Sequence, residues 1–223
     1  MDDLTERLLQ AALPHVAFDG WSEATFRAAV ADAGVDTALA RASCPRGALD
    51  LAVAYHKAGD AKMAERMAEE DLSGMRYRDR VAAAIRYRLD AVDKEAVRRG
   101  VTLFSLPMNA AEGARLIWGT ADAIWTALGD TSDDVNWYTK RATLSAVYSA
   151  AVLFWLGDQS PNQSATSDFI DRRIENVMEF EKVKSKIRES ALGKAFLSGP
   201  GRILDNIRAP VSRRDVPGTS WRR

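Results

Sequence analysis

The sequence predicts an all-α protein, and two observations lead to that prediction. Apolar residues recur at helical spacing along nearly the whole chain, whereas no run alternates convincingly as a half-buried strand would. The composition, 47% hydrophobic and 28% charged over 223 residues, provides material for a substantial apolar core with a charged surface. We therefore expect about nine or ten helices.

The first four helices are marked by the residues at their boundaries. The first begins near Leu4 and is expected to be interrupted near Pro14, because proline lacks the amide donor that a helix interior needs. Ser22 is placed to cap the second helix, Asp36 precedes a short third, and the fourth begins near Gly47.

The middle of the chain has the pattern of charged, alanine-rich helices. They cover "AKMAERMAEEDL" (61–72) and "YRDRVAAAIRYRLDAVDKEAVRRG" (77–100). The segment "SLPMN" (105–109) then breaks the helical pattern, and a further helix is predicted over about 110–128.

The most apolar stretch is "NWYTKRATLSAVYSAAVLFWLGD" (136–158), within a helix predicted over 132–157. Thr131 and Asp134 have capping-box spacing at its start, and Gly157 ends it. From Ala142 to Leu156, before Gly157 ends the helix, fifteen residues lack a formal charge, whereas a membrane-spanning helix needs about 20. Since apolar residues occupy more than one side, we expect this helix at the centre of a bundle.

The last quarter of the chain changes in composition. Helices are predicted over 166–181 and 182–197, and "SGPG" (198–201) interrupts the second of them. The chain is accordingly divided into a head (1–50), a helical domain (51–181), a basic amphipathic helix (182–209) and a disordered basic tail (210–223).

Charge is balanced overall but not along the chain. Thirty-one bases and 31 acids give a formal net charge of zero, so no overall field favours nucleic acid or anionic lipid. Residues 1–60 hold nine acids and five bases, whereas residues 182–223 hold eleven bases and three acids. A single cysteine suits a reducing compartment, and the acidic start lacks the apolar core of a targeting segment. We expect a cytoplasmic protein, peripheral on the inner face of the membrane.

Motifs for catalysis or metal binding are missing from the sequence. Neither His15 nor His56 has the glutamate three residues earlier that a bundle-type di-iron site requires. Cys44 has no histidine close by and is interpreted as a small buried residue. We therefore predict a binding protein rather than an enzyme, with no cofactor and no metal.

The segment "GWSEATFRAAVADAGV" (20–35) resembles the DNA-binding head of TetR-type repressors. The matching positions are Gly20, Trp21, Phe26, Ala29, Ala33, Gly34 and Val35. That resemblance implies a TetR-like fold, with an N-terminal helix-turn-helix and a C-terminal helical ligand domain.

The match fails where a repressor would touch DNA. The recognition region reads "DTALARASCPRG" (36–47), in which Ala42, Ser43 and Cys44 stand where the repressors have aromatics. Only Arg41 and Arg46 offer positive charge there, and a DNA-binding head must neutralise several phosphates. We expect no nucleic-acid partner.

A second and more specific resemblance covers about residues 4–197. Trp137–Arg141, Asp158–Pro161 and Phe169–Arg173 match motifs of the ubiquinone-biosynthesis accessory proteins that we call the coenzyme Q nine family. The opening "AALPHVAFDGW" (11–21) is also similar to that family.

The resemblance implies a homodimer that binds isoprenoid lipid and presents polyprenylated quinone precursors to the di-iron hydroxylase of the ubiquinone pathway. Large apolar residues are candidate walls of the lipid pocket, although ordinary core packing would explain each of them as well. These candidates are Leu103, Leu116, Trp118, Tyr148, Val152 and Trp155.

The resemblance also implies a partner surface and a membrane contact. By position, the partner surface comprises Ile124, Trp125, Asp134, Trp137, Tyr138 and Arg141; alternatively, Trp137 simply packs on the preceding helix. A basic amphipathic helix can lie on an anionic membrane, or it can cap a domain or a dimer. The candidate membrane residues are Lys184, Lys186, Ile187, Leu192, Lys194 and Phe196.

Two other functions are consistent with the predicted fold. A TetR-type transcriptional regulator with a hydrophobic effector would share the predicted fold, and a structural scaffold would need no ligand. The negative charge of residues 1–60 disfavours the regulator.

Overall fold

The computed structural model describes residues 2–189 and 208–210, and this part of the chain is all-α, as predicted. We number its nine α-helices in chain order. They are α1 (Asp3–Asp19), α2 (Glu23–Asp32), α3 (Thr37–Ser43), α4 (Ala48–Glu69), α5 (Tyr77–Asp90), α6 (Lys94–Ser105), α7 (Ala110–Ala127), α8 (Val135–Gly157) and α9 (Ser164–Glu189).

The boundaries of the first helices follow from local capping. The Ser22 side chain accepts a hydrogen bond from the Thr25 amide at the start of α2, and Asp36 accepts the amides of Ala38 and Leu39 at the start of α3. Both side chains satisfy amides that lack a partner in the first turn. Gly47 precedes α4 with a φ of 61°, a conformation that glycine adopts without strain.

The predicted interruption at Pro14 is wrong. Helix α1 runs through that residue to Asp19. Leu8, Ala12 and Val16 are buried on both sides of the proline, in the core of the head. Because the two halves of α1 share one buried face, tertiary packing outweighs the loss of a single backbone hydrogen bond.

Other boundaries differ from the predictions for similar local reasons. The region predicted as one helix over 77–100 is two, because Asp93 caps α6 by accepting the Ala96 amide at 2.8 Å. Helix α8 is capped by Asp134 itself rather than by Thr131. Helix α9 continues without a break past residue 181, whereas we predicted two helices there.

The buried apolar residues form two clusters. One cluster occupies the head, where α1 to α3 pack around Leu9, Phe26 and the first part of α4. The other lies among α4, α5, α7, α8 and α9, with Ile85 and Trp155 among its buried members. Helix α4 contributes to both clusters, so the boundary placed at residue 50 lies inside a continuous helix.

The buried stripe predicted for α8 is confirmed, but the expectation that other helices enclose α8 on every side is not, because Leu153 and Phe154 are 62% and 37% exposed. Leu144, Tyr148, Ala151 and Trp155 are all buried, as their helical spacing predicts. Across the described ranges 2–189 and 208–210, no helix combines the length and the apolar character needed to cross a membrane.

Candidate ligand-binding cavity and aromatic surface

A cavity of about 270 Å³ lies among α4, α5, α6, α7 and α8. Its walls are mainly apolar, and Val97, Val101 and Phe104 of α6 face Ile117 of α7 and Val152 of α8 across it. Ligand pockets commonly have volumes of roughly 300–1,000 Å³, so this cavity is near the lower end of that range. It can enclose a small ring with a short apolar extension.

One end of the cavity is polar, and Arg88 organises it. The Arg88 side chain is only 2% exposed, and its Nε donates to Asp60 Oδ1 at 2.6 Å. Its Nη2 donates to the His56 carbonyl oxygen at 2.9 Å, so Arg88 of α5 is bound to α4 at two points. A Cβ at Gly59 would lie 2.5 Å from Arg88 Nη1, which means that only glycine leaves room for the guanidinium.

His56 and Thr120 extend this polar cluster to α7. The Thr120 hydroxyl donates to Asp60 Oδ1 at 2.9 Å, and His56 Nε2 lies 2.8 Å from the same hydroxyl. Because a hydroxyl has a single proton and the carboxylate takes it, His56 Nε2 is the donor in the second bond. Burial, together with the positive charge of Arg88, lowers the pKa of His56 to about 4. The imidazole is therefore neutral at pH 7.

Tyr148 of α8 also lines the polar end of the cavity. Its ring lies 5.9 Å from Arg88 Cζ, and burial raises the pKa of its hydroxyl. The phenol is thus protonated at neutral pH and can donate a hydrogen bond. We call Arg88, Asp60, His56, Thr120 and Tyr148 the polar cluster.

The exposed residues of the lining mark the mouth of the cavity. Leu153 of α8 lines the cavity and is 62% exposed, and Ser105 at the end of α6 is exposed as well. The loop that follows Ser105 exposes Leu106 and Met108. An apolar rim of this kind suits a ligand with an apolar chain.

An aromatic surface lies at the start of α8. The ring centroid of Trp137 is 4.8 Å from that of Tyr138, in an edge-to-face arrangement, and 5.9 Å from that of Trp118 on α7. Arg141 Cζ lies 4.0 Å from the centre of the Trp137 ring, within cation–π distance. Tyr138 is exposed and Trp137 is half-buried, so this pair presents aromatic surface while it also packs on α7.

Arg141, which lies against the Trp137 ring, is fixed in the interior by two aspartates. Its side chain is buried; Nε donates to Asp122 Oδ1 at 2.6 Å, and Nη1 donates to Asp130 Oδ2 at 3.1 Å. Asp130 also accepts a hydrogen bond from Lys140 Nζ at 2.7 Å. Burial opposes the ionisation of Asp130, but the bonds from Lys140, Ser132 and Arg141 outweigh it and hold the pKa of that carboxyl below its usual value.

Residues 208–210 lie against the same surface. The Tyr138 hydroxyl donates to the Arg208 carbonyl oxygen at 3.2 Å, and the Ala209 amide donates to the Asp133 carbonyl oxygen at 2.8 Å. Part of the aromatic surface is therefore in contact with the C-terminal region of the same chain.

Comparisons with known proteins find ubiquinone biosynthesis proteins that are similar to this chain. The family model described as COQ9 matches residues 110–181, which include α7, the aromatic surface and α8. A probable ubiquinone biosynthesis protein, coq9, from Dictyostelium discoideum is 28% identical over 84% of this chain, which spans 64% of that relative. The mitochondrial ubiquinone biosynthesis proteins COQ9 of Xenopus tropicalis and Homo sapiens are 26% and 24% identical over the whole chain, which spans 70% of each.

The predicted resemblance to the COQ9 family is confirmed.

The TetR-like fold predicted for this COQ9-like chain is also confirmed. The crystal structure of a TetR transcriptional regulator from Nitrosomonas europaea is similar, with a TM-score of 0.63 at 19% identity, and covers 78% of this chain and 97% of that one. At that level of identity the likeness concerns the fold alone.

The two cations near the recognition helix of this head are paired with acids of the same chain. Arg41 pairs with Glu23 and lies over the Phe26 ring, 4.4 Å from its centre. Arg46 binds Asp50 at 2.7 Å and Glu112 at 3.1 Å. Their charges are therefore already compensated before any phosphate approaches.

Half of the six predicted lipid-binding residues line the cavity of the COQ9-like chain. Leu116, Tyr148 and Val152 do so, whereas Leu103, Trp118 and Trp155 lie outside its lining. Leu103 packs against the head core, Trp118 contacts Trp137, and Trp155 is buried with its Nε1 donating to Gln163 Oε1 at 2.6 Å. All six positions are apolar or aromatic, but a helix carries such residues on faces that meet different neighbours.

Sequence reasoning missed the α6 wall and, apart from Tyr148, the polar cluster. Val97, Val101 and Phe104 recur at i, i+4 and i+7, a helical stripe that a search for pocket walls could have found. Arg88 has no comparable signal, since its partners lie 28 and 32 residues away.

The structure places the residues of the predicted partner surface at different depths. Ile124 is 0% exposed and Arg141 is 3% exposed, so the expectation that they contribute directly to an outer surface is wrong. Ile124 belongs to the main core, and Arg141 is held inside by its two aspartates. Trp125 is half-buried and stacked on Tyr77, and the Asp134 side chain is used to cap α8.

The structure also bears on the predictions for the cysteine, the first histidine, metal binding and the membrane residues. Cys44 is buried, as predicted, and burial raises the pKa of its thiol. His15 contacts Asp32, with 2.7 Å between Nε2 and Oδ2. Within the described part of the chain, no three His, Cys, Asp or Glu side chains are arranged to hold a metal ion. Of the predicted membrane residues, Leu192, Lys194 and Phe196 lie outside the described residues, and Lys184, Lys186 and Ile187 lie on the backbone of α9.

Proposed function

We propose that this chain is an accessory protein of ubiquinone biosynthesis that binds an isoprenoid quinone precursor and presents it to the di-iron hydroxylase of that pathway. The observation that carries the proposal is a mainly apolar cavity whose lining also includes the polar side chains of Arg88, His56 and Tyr148, in a chain similar to proteins named for ubiquinone biosynthesis. A polyprenylated ring has the same division into an apolar chain and a polar head.

The cavity supports binding rather than catalysis. Arg88, Asp60, Thr120 and His56 bond to one another, so most of their capacity is already used in holding α4, α5 and α7 together. The apolar walls would exclude water from a bound ring and chain, which is the main source of affinity for such a ligand. The proposed role is therefore storage and delivery.

The aromatic surface supports docking of a protein partner. Exposed tryptophan, tyrosine and arginine side chains are the types that dominate binding energy at interfaces. We assign direct contact to Trp137 and Tyr138, with Trp125 and Asp134 beside them, whereas Arg141 and Ile124 act by supporting these residues from the interior. The proposed partner is the di-iron hydroxylase, to which the bound precursor would be delivered.

The basic region after residue 181 supports contact with an anionic membrane, where such precursors reside. Eleven bases against three acids in residues 182–223 would be attracted to anionic head groups. The protein is then a peripheral membrane protein and, as its family resemblance implies, a homodimer.

The lipid-binding role can be tested by filling the cavity. Gly100 lines it, and a Cβ added there would meet only Trp21 Nε1, at an ordinary 3.8 Å, so position 100 has room for a first side-chain carbon and we expect Gly100→Leu to take up part of the cavity. Gly119→Leu is the matched control, because Gly119 lies on α7 outside the lining with no atom within 4 Å of an added Cβ. Native mass spectrometry of the purified proteins would measure the lipid retained.

We expect isoprenoid lipid on the wild type and on Gly119→Leu, and at least about tenfold less on Gly100→Leu. Lipid-free wild type, or equal retention by the two variants, would show that the cavity is not the binding site.

A further inference from the structure

We propose that residues 106–109, the loop between α6 and α7, insert into the surface of a lipid bilayer and hold the mouth of the cavity against it. We call these residues the mouth loop. The inference rests on the proposed lipid-binding function, which it deepens by naming a membrane contact that is apolar and separate from the basic region after residue 181.

The position of the mouth loop provides the first argument. Four residues of the cavity lining are exposed, and they are Ser105, Ala110, Ala114 and Leu153. The first three flank the mouth loop in the chain, either directly before it or within five residues after it. The mouth loop therefore forms one side of the opening through which a ligand would enter or leave the cavity.

The side chains of the mouth loop provide the second argument, because they expose apolar surface to water. Met108 is 83% exposed and Leu106 is 45% exposed. Around them, the stretch 100–111 between Arg99 and Glu112 contains no charged residue. Apolar surface of this kind is unfavourable in water and is stabilised against hydrocarbon. The mouth loop thus fits an apolar partner.

The backbone of the mouth loop is also suited to leave water. The Asn109 amide donates to the Leu106 carbonyl oxygen at 2.9 Å, and the Leu106 amide donates to the Leu103 carbonyl oxygen at 3.4 Å. Pro107 has no amide hydrogen, and Asn109 Nδ2 donates to the Leu103 carbonyl oxygen at 3.1 Å. Since unbonded backbone groups are what makes a loop costly to bring into lipid, this loop carries a reduced cost.

A bilayer fits this surface better than a protein does. The mouth loop lacks the tryptophan and tyrosine that dominate protein interfaces, and a protein seated on it would close the mouth. Arg115, in the second turn of α7, is 74% exposed and is therefore free to extend to lipid phosphates, as long cationic side chains do at membrane surfaces. An isoprenoid chain would pass from the cavity into hydrocarbon without crossing water.

Insertion can be measured with an environment-sensitive dye on the mouth loop. Full-length Met108→Cys would be labelled with a thiol-reactive nitrobenzoxadiazole, which the buried Cys44 does not reach. Leu39→Cys is the matched control, because Leu39 of α3 is also exposed, at 55%, and lies outside the cavity lining. With phosphatidylcholine vesicles in high salt, which suppresses electrostatic attraction, we expect emission to rise at least about twofold at position 108 and to stay unchanged at position 39.

A pair of charge substitutions tests the same contact without a dye. Leu106→Asp and Leu39→Asp each replace an exposed leucine with an acid, so both should leave the melting temperature unchanged. We expect Leu106→Asp to weaken sedimentation with phosphatidylcholine vesicles about tenfold, because the carboxylate resists transfer out of water, and Leu39→Asp to behave as wild type.

The outcomes separate this inference from the proposed function. Equal emission changes at positions 108 and 39, or equal sedimentation of the two aspartate variants, would overturn insertion, while the lipid cavity and the basic region stand on their own tests. Emission at position 108 that rises with protein concentration without vesicles would show that the mouth loop contacts a second copy of the chain instead. Failure of wild type to bind phosphatidylserine vesicles would overturn the proposed membrane contact, and this inference with it.

Discussion

At the scale of single residues, the place of the Arg88 side chain depends on the absence of a side chain at Gly59. The guanidinium is held between Asp60 and the His56 carbonyl, and it fits only because position 59 has no side chain. Removing one partner of a buried ion pair commonly costs about 3–5 kcal/mol of stability, because the other charge is left without compensation. Substitutions here therefore act on the fold and on the cavity together.

The buried His56 makes the stability of the fold depend on pH. In the unfolded chain an imidazole takes up a proton near pH 6.5, whereas in the folded protein the pKa of His56 is about 4. Protons therefore bind the unfolded state preferentially between these values, and the free energy of unfolding falls as the pH drops from 6.5 towards 4. The loss reaches about 3 kcal/mol at the lower limit.

We expect His56→Gln, which can still donate to Thr120, to lack this part of the pH dependence. Urea unfolding of wild type and variant at pH 7.5, 5.5 and 4.5 would measure it. His15→Gln controls for the loss of an imidazole, since His15 is the other histidine of the chain and lies in the head. Unfolding free energies of wild type and His56→Gln that decline in parallel would contradict the assignment.

At the scale of the secondary-structure elements, α8 combines two roles along its length. One face of it, from Leu144 to Trp155, is buried in the main core, whereas its first turn carries Trp137 and Tyr138 at the surface. The change from core to surface occurs near the N-terminus of α8. There Asp134 caps the backbone, and Arg141 is bound by Asp122 and Asp130. One helix thus links the wall of the cavity, at Tyr148 and Val152, to the proposed dock.

The proposed dock can be tested on α8 itself. Tyr138→Ala should weaken binding of the di-iron hydroxylase about thirtyfold, because truncating a central aromatic of an interface commonly costs about 2 kcal/mol. Phe154→Ala is the matched control, since Phe154 is on the same helix and is equally exposed, 37% against 36% for Tyr138. Affinities would be measured by surface plasmon resonance.

Trp137→Lys should also abolish capture, but with a lower melting temperature, because the Trp137 ring packs on Trp118 and Arg141. Equal affinities of the hydroxylase for Tyr138→Ala and Phe154→Ala would show that the start of α8 is not the docking site. If Trp137→Lys alone were defective and unstable, the tryptophan would be a packing residue only.

The basic C-terminal region should govern membrane affinity. Removing residues 182–223 deletes eleven bases and three acids, and each base near an anionic surface contributes about 1 kcal/mol. We expect sedimentation with phosphatidylserine vesicles to fall sharply in the truncated protein, and the attraction in wild type to weaken with salt. Full-length Lys184→Glu/Lys186→Glu separates charge from chain length. Undiminished sedimentation of both variants would rule out the electrostatic contact.

At the scale of the whole molecule, the chain has a TetR-like fold, while the two cations near the recognition helix of its head are already paired with acids. Residues 1–60 have more acids than bases, and both cations near the recognition helix are bound by carboxylates. Binding to DNA depends on exchanging counterions for cations of the protein, so compensated cations contribute little. The interpretation as a transcriptional regulator is accordingly disfavoured.

Fluorescence anisotropy with a labelled 20-base-pair duplex at 50 and 150 mM salt tests this directly. We expect wild type to show no binding at 10 μM protein in 150 mM salt. Glu23→Gln combined with Asp50→Asn and Glu112→Gln frees Arg41 and Arg46 and should increase affinity at 50 mM salt. Nanomolar affinity of the wild type with a steep salt dependence would instead support the regulator.

The sequence predicts the helices of this protein better than it predicts how those helices pack. The helical class, the caps at Ser22 and Asp36 and the buried face of α8 depend on residues within a few positions of one another, so spacing alone predicts them. The failure at Pro14 occurred because packing of both halves of α1 on the head outweighed a local rule.

Local sequence patterns are enough to predict that the chain is helical, where most helices begin, and which family it resembles. Helix packing, in contrast, sets which apolar faces enclose a cavity, places Arg141 and Ile124 inside, and brings Arg88 of α5 to Asp60 and His56 of α4. Periodicity orients a side chain about its own helix axis, but its neighbour is set by how separate helices pack. The chemistry of the cavity therefore arises from contacts between residues distant in the chain.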